Sequence, residues 1–64
     1  MLKAELISTD GLVSMSTSTL SESTKEIIMD WMQDRIIEYR LKQTSDREWT
    51  NGKYSLTCNF DVNE

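Results

Sequence analysis

The fold is decided by residues 23–43, which read STKEIIMDWMQDRIIEYRLKQ. Apolar residues recur in this stretch at the three- and four-residue spacing that places side chains on one face of an α-helix. That face comprises Ile28, Met32, Ile36 and Tyr39, with Met29 beside them. Ser23 and Glu26 have the spacing of a capping box, in which both side chains satisfy free backbone amides at a helix start. We therefore predict one unbroken helix from about residue 24 to about residue 43, with this face against a sheet.

A first β-hairpin is predicted before the helix, at Asp10-Gly11. This pair of residues suits a two-residue turn, because both central positions of that turn need a positive φ. A two-residue loop makes Leu6 face Met15 and Ser8 face Val13. The apolar residues that then share one face are Leu2, Ala4, Leu6, Val13 and Met15.

A second β-hairpin is predicted after the helix, at Asn51-Gly52. A two-residue loop at this position makes Trp49 and Tyr54 a cross-strand aromatic pair. From Tyr54 to Val62 every second residue is apolar, which indicates a strand with one buried face. Because this strand is longer than its hairpin partner, we expect it to pair on its other side with the first strand.

These elements predict a single small α+β domain that spans residues 1–64. Its order is ββαββ, with a four-stranded, largely antiparallel sheet made of two β-hairpins and packed against one long helix. A chain of 64 residues buries only about 60% of its unfolded surface, so its stability is expected to be marginal. Cys58 is the one cysteine and forms no internal disulfide, so regular packing or self-association must supply stability.

The composition argues against catalysis. The chain has no histidine, which excludes Ser-His and Cys-His nucleophile pairs and a Cys/His zinc site. Both glycines are used in the predicted turns, so no phosphate-binding loop is left for them. Cys58 lies mid-strand on the apolar face, where a cysteine acts as a small core hydrophobe. We therefore predict a protein that is not an enzyme and that holds neither a cofactor nor a metal.

The compartment is predicted from what the chain lacks. A lone cysteine fits a reducing environment. The first residues contain no apolar run long enough for a signal peptide, and no stretch approaches a membrane span. We expect a soluble, cytoplasmic protein, in its own cell or in a host, with no membrane partner.

A row of acidic residues is the most unusual pattern in the helix. They recur every four residues, which places them along one ridge, and Lys42 ends the series. The row comprises Glu22, Glu26, Asp30, Asp34 and Glu38. Like charges at this spacing destabilise a helix by roughly 0.2–0.5 kcal/mol per pair. An ordinary solvated face is the alternative explanation.

Apolar residues interleave with this acidic row. Ile27, Trp31, Ile37 and Leu41 lie off the sheet-facing stripe. Acids mixed with an aromatic and aliphatic side chains predict a face that binds a basic, partly apolar surface of another protein. The predicted partner-binding residues are Glu26, Asp30, Trp31, Asp34, Ile37, Glu38 and Leu41. Alternatively, Trp31 closes the core over the sheet edge, and the aliphatic residues pack on strand ends.

The function predicted first is that of a small acidic inhibitor or adaptor. In style the chain resembles the short, proline-poor, acidic proteins that phage and mobile elements encode for counter-defence or host takeover, and no motif ties it to a family. Its partner would be a protein with a basic surface, such as one that handles nucleic acid. A homodimer, joined through the extra apolar helix residues or through edge strands, is the alternative.

Direct nucleic-acid binding is a third hypothesis, as in a small regulator. The net charge of −4 argues against it, because phosphate contacts need clustered cations. The fold would have to gather the scattered basic residues near the helix C-terminus. These are Lys3, Lys53, Arg35, Arg40, Lys42 and Arg47.

Overall fold

The structure, a computed structural model, describes residues 2–62. The elements in this range are β1 (Ala4–Ser8), β2 (Val13–Ser16), a 3₁₀ turn (Thr17–Thr19), α1 (Lys25–Tyr39), β3 (Lys42–Ser45), β4 (Glu48–Thr50) and β5 (Tyr54–Cys58). The five strands form one antiparallel sheet in the order β2-β1-β5-β4-β3. The α+β class is confirmed. The predicted four strands and ββαββ order are wrong, because a fifth strand follows the helix.

The helix is shorter than its apolar pattern indicates. Its N-cap is Thr24, not Ser23, and the Thr24 hydroxyl accepts a hydrogen bond from the Ile27 amide at 3.4 Å. The helix ends at Tyr39 because Arg40 takes a left-handed backbone conformation with φ 54°. Residues 42 and 43, predicted to be helical, instead open strand β3 and pair with β4.

Arg40 provides a test of this helix end. A side chain at positive φ is strained, whereas glycine is not, so Arg40→Gly is expected to raise the free energy of unfolding by about 0.5 kcal/mol. Urea denaturation followed by circular dichroism measures the change. Gln33→Gly, at an exposed position inside the helix, is the matched control and should lower stability by about 1 kcal/mol. A loss of stability of that size in Arg40→Gly would show that the helix does not end there.

The first hairpin forms with an irregularity. Leu6 faces Met15, as predicted, but the register then shifts, and Val13 pairs with Ile7 instead of Ser8. Such a bulge inserts one extra residue into a strand and reverses the side-chain alternation beyond it. Val13 is 52% exposed and does not join the buried face. Met15 keeps its predicted partner but is 40% exposed, because β2 is at the edge of the sheet.

The second hairpin has a longer loop than predicted. Trp49 pairs with Leu56, so the loop covers residues 51–54, and the predicted pairing of Trp49 with Tyr54 is wrong. The Asn51 side chain accounts for the difference, since its Oδ1 accepts hydrogen bonds of 2.7 Å from the Lys53 and Tyr54 amides. Trp49 is thereby moved into the core.

The core lies between the sheet and the helix. β5 pairs with β1 as predicted, with Leu56 opposite Leu6, and both residues are fully buried. The predicted stripe of the helix covers them: Ile28 and Met32 are buried, and the flanking residues pack against the core as partly buried side chains. The flanking residues are Met29, Ile36 and Tyr39. The remaining buried apolar residues are Ala4, Leu41, Trp49 and Phe60.

Cys58 lies at the margin of this core. The side chain is half-buried and packs against the buried cluster, in agreement with its predicted face. Its Sγ donates a hydrogen bond to the Phe60 carbonyl oxygen at 3.1 Å. The thiol thus completes local packing where β5 ends.

The opposite face of the sheet, which we term the polar sheet face, carries mainly polar side chains, with Ile7 and Val13 as apolar exceptions. Because neighbouring residues of a strand point to opposite faces, the residues next to Leu6, Leu56 and Trp49 point away from the helix. Glu5, Thr57 and Glu48 lie side by side there on three adjacent strands. This row of the polar sheet face contains no apolar side chain that a partner could bury.

Candidate partner-binding surface

The exposed side of α1 forms a continuous surface, which we term the outer helix face. It comprises Glu26, Ile27, Asp30, Gln33, Asp34, Ile37 and Glu38, all of which are exposed. At about 100° per residue these positions lie opposite the buried Ile28 and Met32. The helix is unbroken over this length, so the seven side chains form one convex strip.

The outer helix face is strongly negative. Four of the five residues in the acidic row lie on it, and the fifth, Glu22, precedes the helix. Among residues 2–62, Glu38 alone of these four makes an ion pair, with 3.7 Å between its Oε2 and Nη2 of Arg35. Glu26 is the one acid in the first helical turn, where the helix dipole stabilises negative charge. Within the described part of the chain, Asp30 and Asp34 have neither an ion pair nor a position in the first helical turn to offset their charge.

Two isoleucines interrupt the negative charge. Ile27 is 36% exposed and Ile37 is 66% exposed. Ile37 follows Asp34 by three residues and Gln33 by four, so it lies next to both on the helix surface. An exposed aliphatic side chain beside a carboxylate and an amide has no role in the core of this domain.

The structure brings five of the seven predicted partner-binding residues together and separates two. Glu26, Asp30, Asp34, Ile37 and Glu38 are on the outer helix face.

Trp31 and Leu41 are the two that are not on this face. Leu41 is only 7% exposed, because the left-handed turn at Arg40 directs the chain back toward the sheet. Trp31 is half-buried and packs against the core, and the Arg35 guanidinium lies 5.4 Å from its ring centroid. The structure thus agrees with the alternative given for Trp31, which is packing on the core, and it buries Leu41 instead of exposing it on the outer helix face.

A groove between β2 and α1 was not predicted. It has a volume of about 400 Å³ and is lined by Val13, Ser14, Met15, Ser16, Thr19 and Trp31. Arg35 is not in the lining but contacts it, with Nη1 4.0 Å from the Met15 sulfur and with Nε buried and without a hydrogen-bond partner among the described residues. No acid or base lines the groove, so it suits apolar and hydroxyl contacts more than proton transfer.

The carboxyl groups with altered acidity lie in the first hairpin loop and after strand β5. A hydrogen bond from the Ser8 hydroxyl lowers the pKa of Asp10 in the first hairpin loop. A hydrogen bond of 2.7 Å from Arg47 Nε lowers the pKa of Asp61 beyond β5. Both interactions favour the charged form of an exposed group and stabilise loop geometry.

Two other kinds of feature are absent from the residues that the structure describes. No three or more cysteine and acidic side chains in residues 2–62 are placed to hold a metal ion. The single helix in this part of the chain lacks the length and apolar character needed to cross a bilayer.

Comparison with known proteins gives no relative from which a function could be transferred. No family model, curated protein or solved structure matches the chain. The choice of function rests on the charge, shape and exposure of the surfaces described above.

Proposed function

We propose that this protein is a small binding module, an inhibitor or adaptor, whose outer helix face binds a basic surface of another protein. One observation carries the proposal: carboxylates repeat every four residues along an exposed helix face, with two exposed isoleucines among them. The carboxylates provide attraction to cations, and the isoleucines provide apolar area that a partner can bury.

The domain does not need this charge pattern in order to fold. The pairs Glu26–Asp30, Asp30–Asp34 and Asp34–Glu38 each oppose helix formation by roughly 0.2–0.5 kcal/mol, or about 1 kcal/mol together. That is a substantial fraction of the stability expected for a domain of this size, about 0.05–0.15 kcal/mol per residue. Complementarity to a positively charged partner gives the pattern a purpose that intramolecular packing does not.

The chemistry of the face specifies the partner. Ile27 and Ile37 are ten positions apart, or about 15 Å along the helix at 1.5 Å per residue. The partner surface should therefore present two apolar depressions at about that distance, bordered by Lys or Arg side chains. Proteins that handle nucleic acid carry basic surfaces of this kind, whereas nucleic acid itself would be repelled by the carboxylates.

The shape of the surface favours binding over catalysis. Enzyme sites are concave and enclose most of a small substrate. The outer helix face is convex, and the lining of the groove beside it contains no acid or base. Recognition of a macromolecule suits both features.

The variant Asp34→Lys tests the proposal with two readouts. It turns two repulsive pairs, with Asp30 and Glu38, into attractive ones, so the free energy of unfolding should rise by about 0.5–1 kcal/mol. Partner binding should fall at least about tenfold, because a cation then faces the basic surface. Urea denaturation measures the first effect. Affinity capture from a lysate with mass spectrometry, followed by titration of the captured protein, measures the second.

Asp46→Lys is the matched control, since it makes the same charge change at an exposed residue in the β3–β4 turn. It should leave the captured partner bound. Binding by the unmodified chain should also weaken as salt rises, because salt screens exposed charges. Either of two results would exclude the outer helix face as the interface. One is an equal loss of binding in Asp34→Lys and Asp46→Lys. The other is binding that changes neither with Asp34→Lys nor with salt.

A further inference from the structure

The two edges of the sheet differ in how they are protected. β2 forms one edge and β3 the other. Edge strands expose unpaired backbone groups to which another strand can bind, and natural proteins discourage this with charged side chains. β3 is flanked by Arg40 and Asp46 and begins with Lys42. In contrast, residues 11–21, which contain β2, include no charged residue, although 28% of the chain is charged.

The β2 edge is also apolar. Leu12 is 67% exposed, Val13 is 52% exposed and Met15 is 40% exposed. These are three of the five large hydrophobic side chains that are exposed in the part of the chain that the structure describes. The groove between β2 and α1 adds Trp31 to this apolar surface. An uncharged edge strand beside exposed apolar side chains is the arrangement to which a further strand adds.

We infer that β2 pairs antiparallel with β2 of a second copy of this chain, which joins two five-stranded sheets into one. This surface is distinct from the outer helix face, and the inference does not depend on the proposed function. The local chemistry favours a second copy over a charged partner: residues 11–21 have no charge with which to complement a charged surface. Two copies that meet there place no like charges against each other, although each chain has a net charge of −4.

The symmetry of this contact limits the assembly to two chains. Two identical strands that pair antiparallel are related by a two-fold axis, so each uses the same surface and the contact is closed. The charged residues at β3 discourage the addition of a further copy at the other edge. A closed dimer, and not a fibre, is the expected product.

The same axis brings the two grooves together. A two-fold axis between antiparallel strands is perpendicular to the sheet, so both helices lie on the same face of the joined sheet. Met15 and Trp31 of each copy then flank the axis, with Arg35 in contact with both of them. Because the bulge leaves β2 short and irregular, the contact should be small, and we expect a dimer that forms only at micromolar concentrations.

Sedimentation velocity across the micromolar range tests the inference. The unmodified chain should shift from monomer to dimer as its concentration rises. Val13→Lys adds a charge to the edge without altering the core, and it should raise the dimer dissociation constant at least about tenfold. Gln43→Lys, at an exposed position on β3, is the matched control and should dimerise like the unmodified chain. Circular dichroism verifies that both variants fold.

Amide hydrogen exchange locates the contact. Exchange in residues 12–16 should slow as the concentration of the unmodified chain rises, and in Val13→Lys it should not. A chain that stays monomeric throughout the range would overturn the inference. So would a dimer that survives Val13→Lys but is lost in Ile37→Glu, since the contact would then be on the outer helix face. Both of these results concern dimer formation. Neither would change the expected effect of Asp34→Lys on partner binding.

Discussion

Leu56→Ala is expected to leave the domain largely unfolded at room temperature. Leu56 is fully buried at the centre of the sheet, where it pairs with Leu6 on one side and Trp49 on the other. Removing a buried leucine side chain typically lowers the free energy of unfolding by about 3–5 kcal/mol, because apolar contact is lost and a cavity remains. The single core of a domain below about 70–80 residues rarely supplies more than about 3–5 kcal/mol of stability, so this loss removes most of it.

Urea denaturation followed by tryptophan fluorescence measures this loss, since Trp49 lies in the same core. Ile37→Ala is the matched control, because Ile37 is 66% exposed and its truncation should change stability by less than about 1 kcal/mol. If Leu56→Ala and Ile37→Ala were equally stable, the core described here would be wrong.

Thr17→Val is expected to be the second most damaging change. Thr17 is 1% exposed, and its hydroxyl accepts a hydrogen bond of 3.0 Å from the Ala4 amide. The same hydroxyl donates to the Ala4 carbonyl oxygen at 3.4 Å. Valine keeps the volume but leaves both backbone groups of Ala4 without this partner, at a cost of about 1–3 kcal/mol. Thermal and urea denaturation should both show the loss.

Thr57→Val controls for the loss of a hydroxyl alone. Thr57 lies in the middle of β5 on the polar sheet face, where valine suits a strand at least as well as threonine. Its stability should therefore be unchanged or slightly raised. If Thr17→Val were as stable as the unmodified chain, the Thr17 hydroxyl would not be needed to satisfy the backbone groups of Ala4.

The parts of the fold that follow from side-chain periodicity were predictable. Ile28 and Met32 are spaced for one helix face, and alternation in β5 identifies Leu56 as buried. The pairing of β5 with β1 was predicted because the alternation after the second turn is longer than the preceding strand can pair with. These predictions rely on repeated patterns, in which several residues support the same assignment.

The parts of the fold that lack a repeated sequence pattern were not predictable. Arg40 ends the helix in a left-handed conformation that glycine usually adopts, so the sequence contains no stop signal there. The four residues of β3 are all exposed and show no apolar alternation, which conceals the strand. The Asn51 side chain lengthens a loop whose Asn-Gly pair favours two residues.

The candidate surfaces divide in the same way. The exposure of Asp30, Asp34 and Ile37 follows from their distance around the helix from Ile28. The positions of Trp31 and Leu41 depend on the width of the sheet and on the turn at residue 40, and neither is encoded in helical spacing. The groove is lined by residues between positions 13 and 19 and by Trp31, which are distant in sequence. The absence of charge in residues 11–21 is the one sequence feature that points to it.

Site-specific photo-crosslinking tests the central claim most directly. A photoreactive amino acid replaces Ile37 on the outer helix face in one protein and Glu48 on the polar sheet face in another. Both are irradiated in the lysate used for capture. We expect a crosslinked partner with a basic surface at position 37 and none at position 48. A partner that crosslinks at position 48 and not at position 37 would contradict the claim that this protein binds through the outer face of its helix.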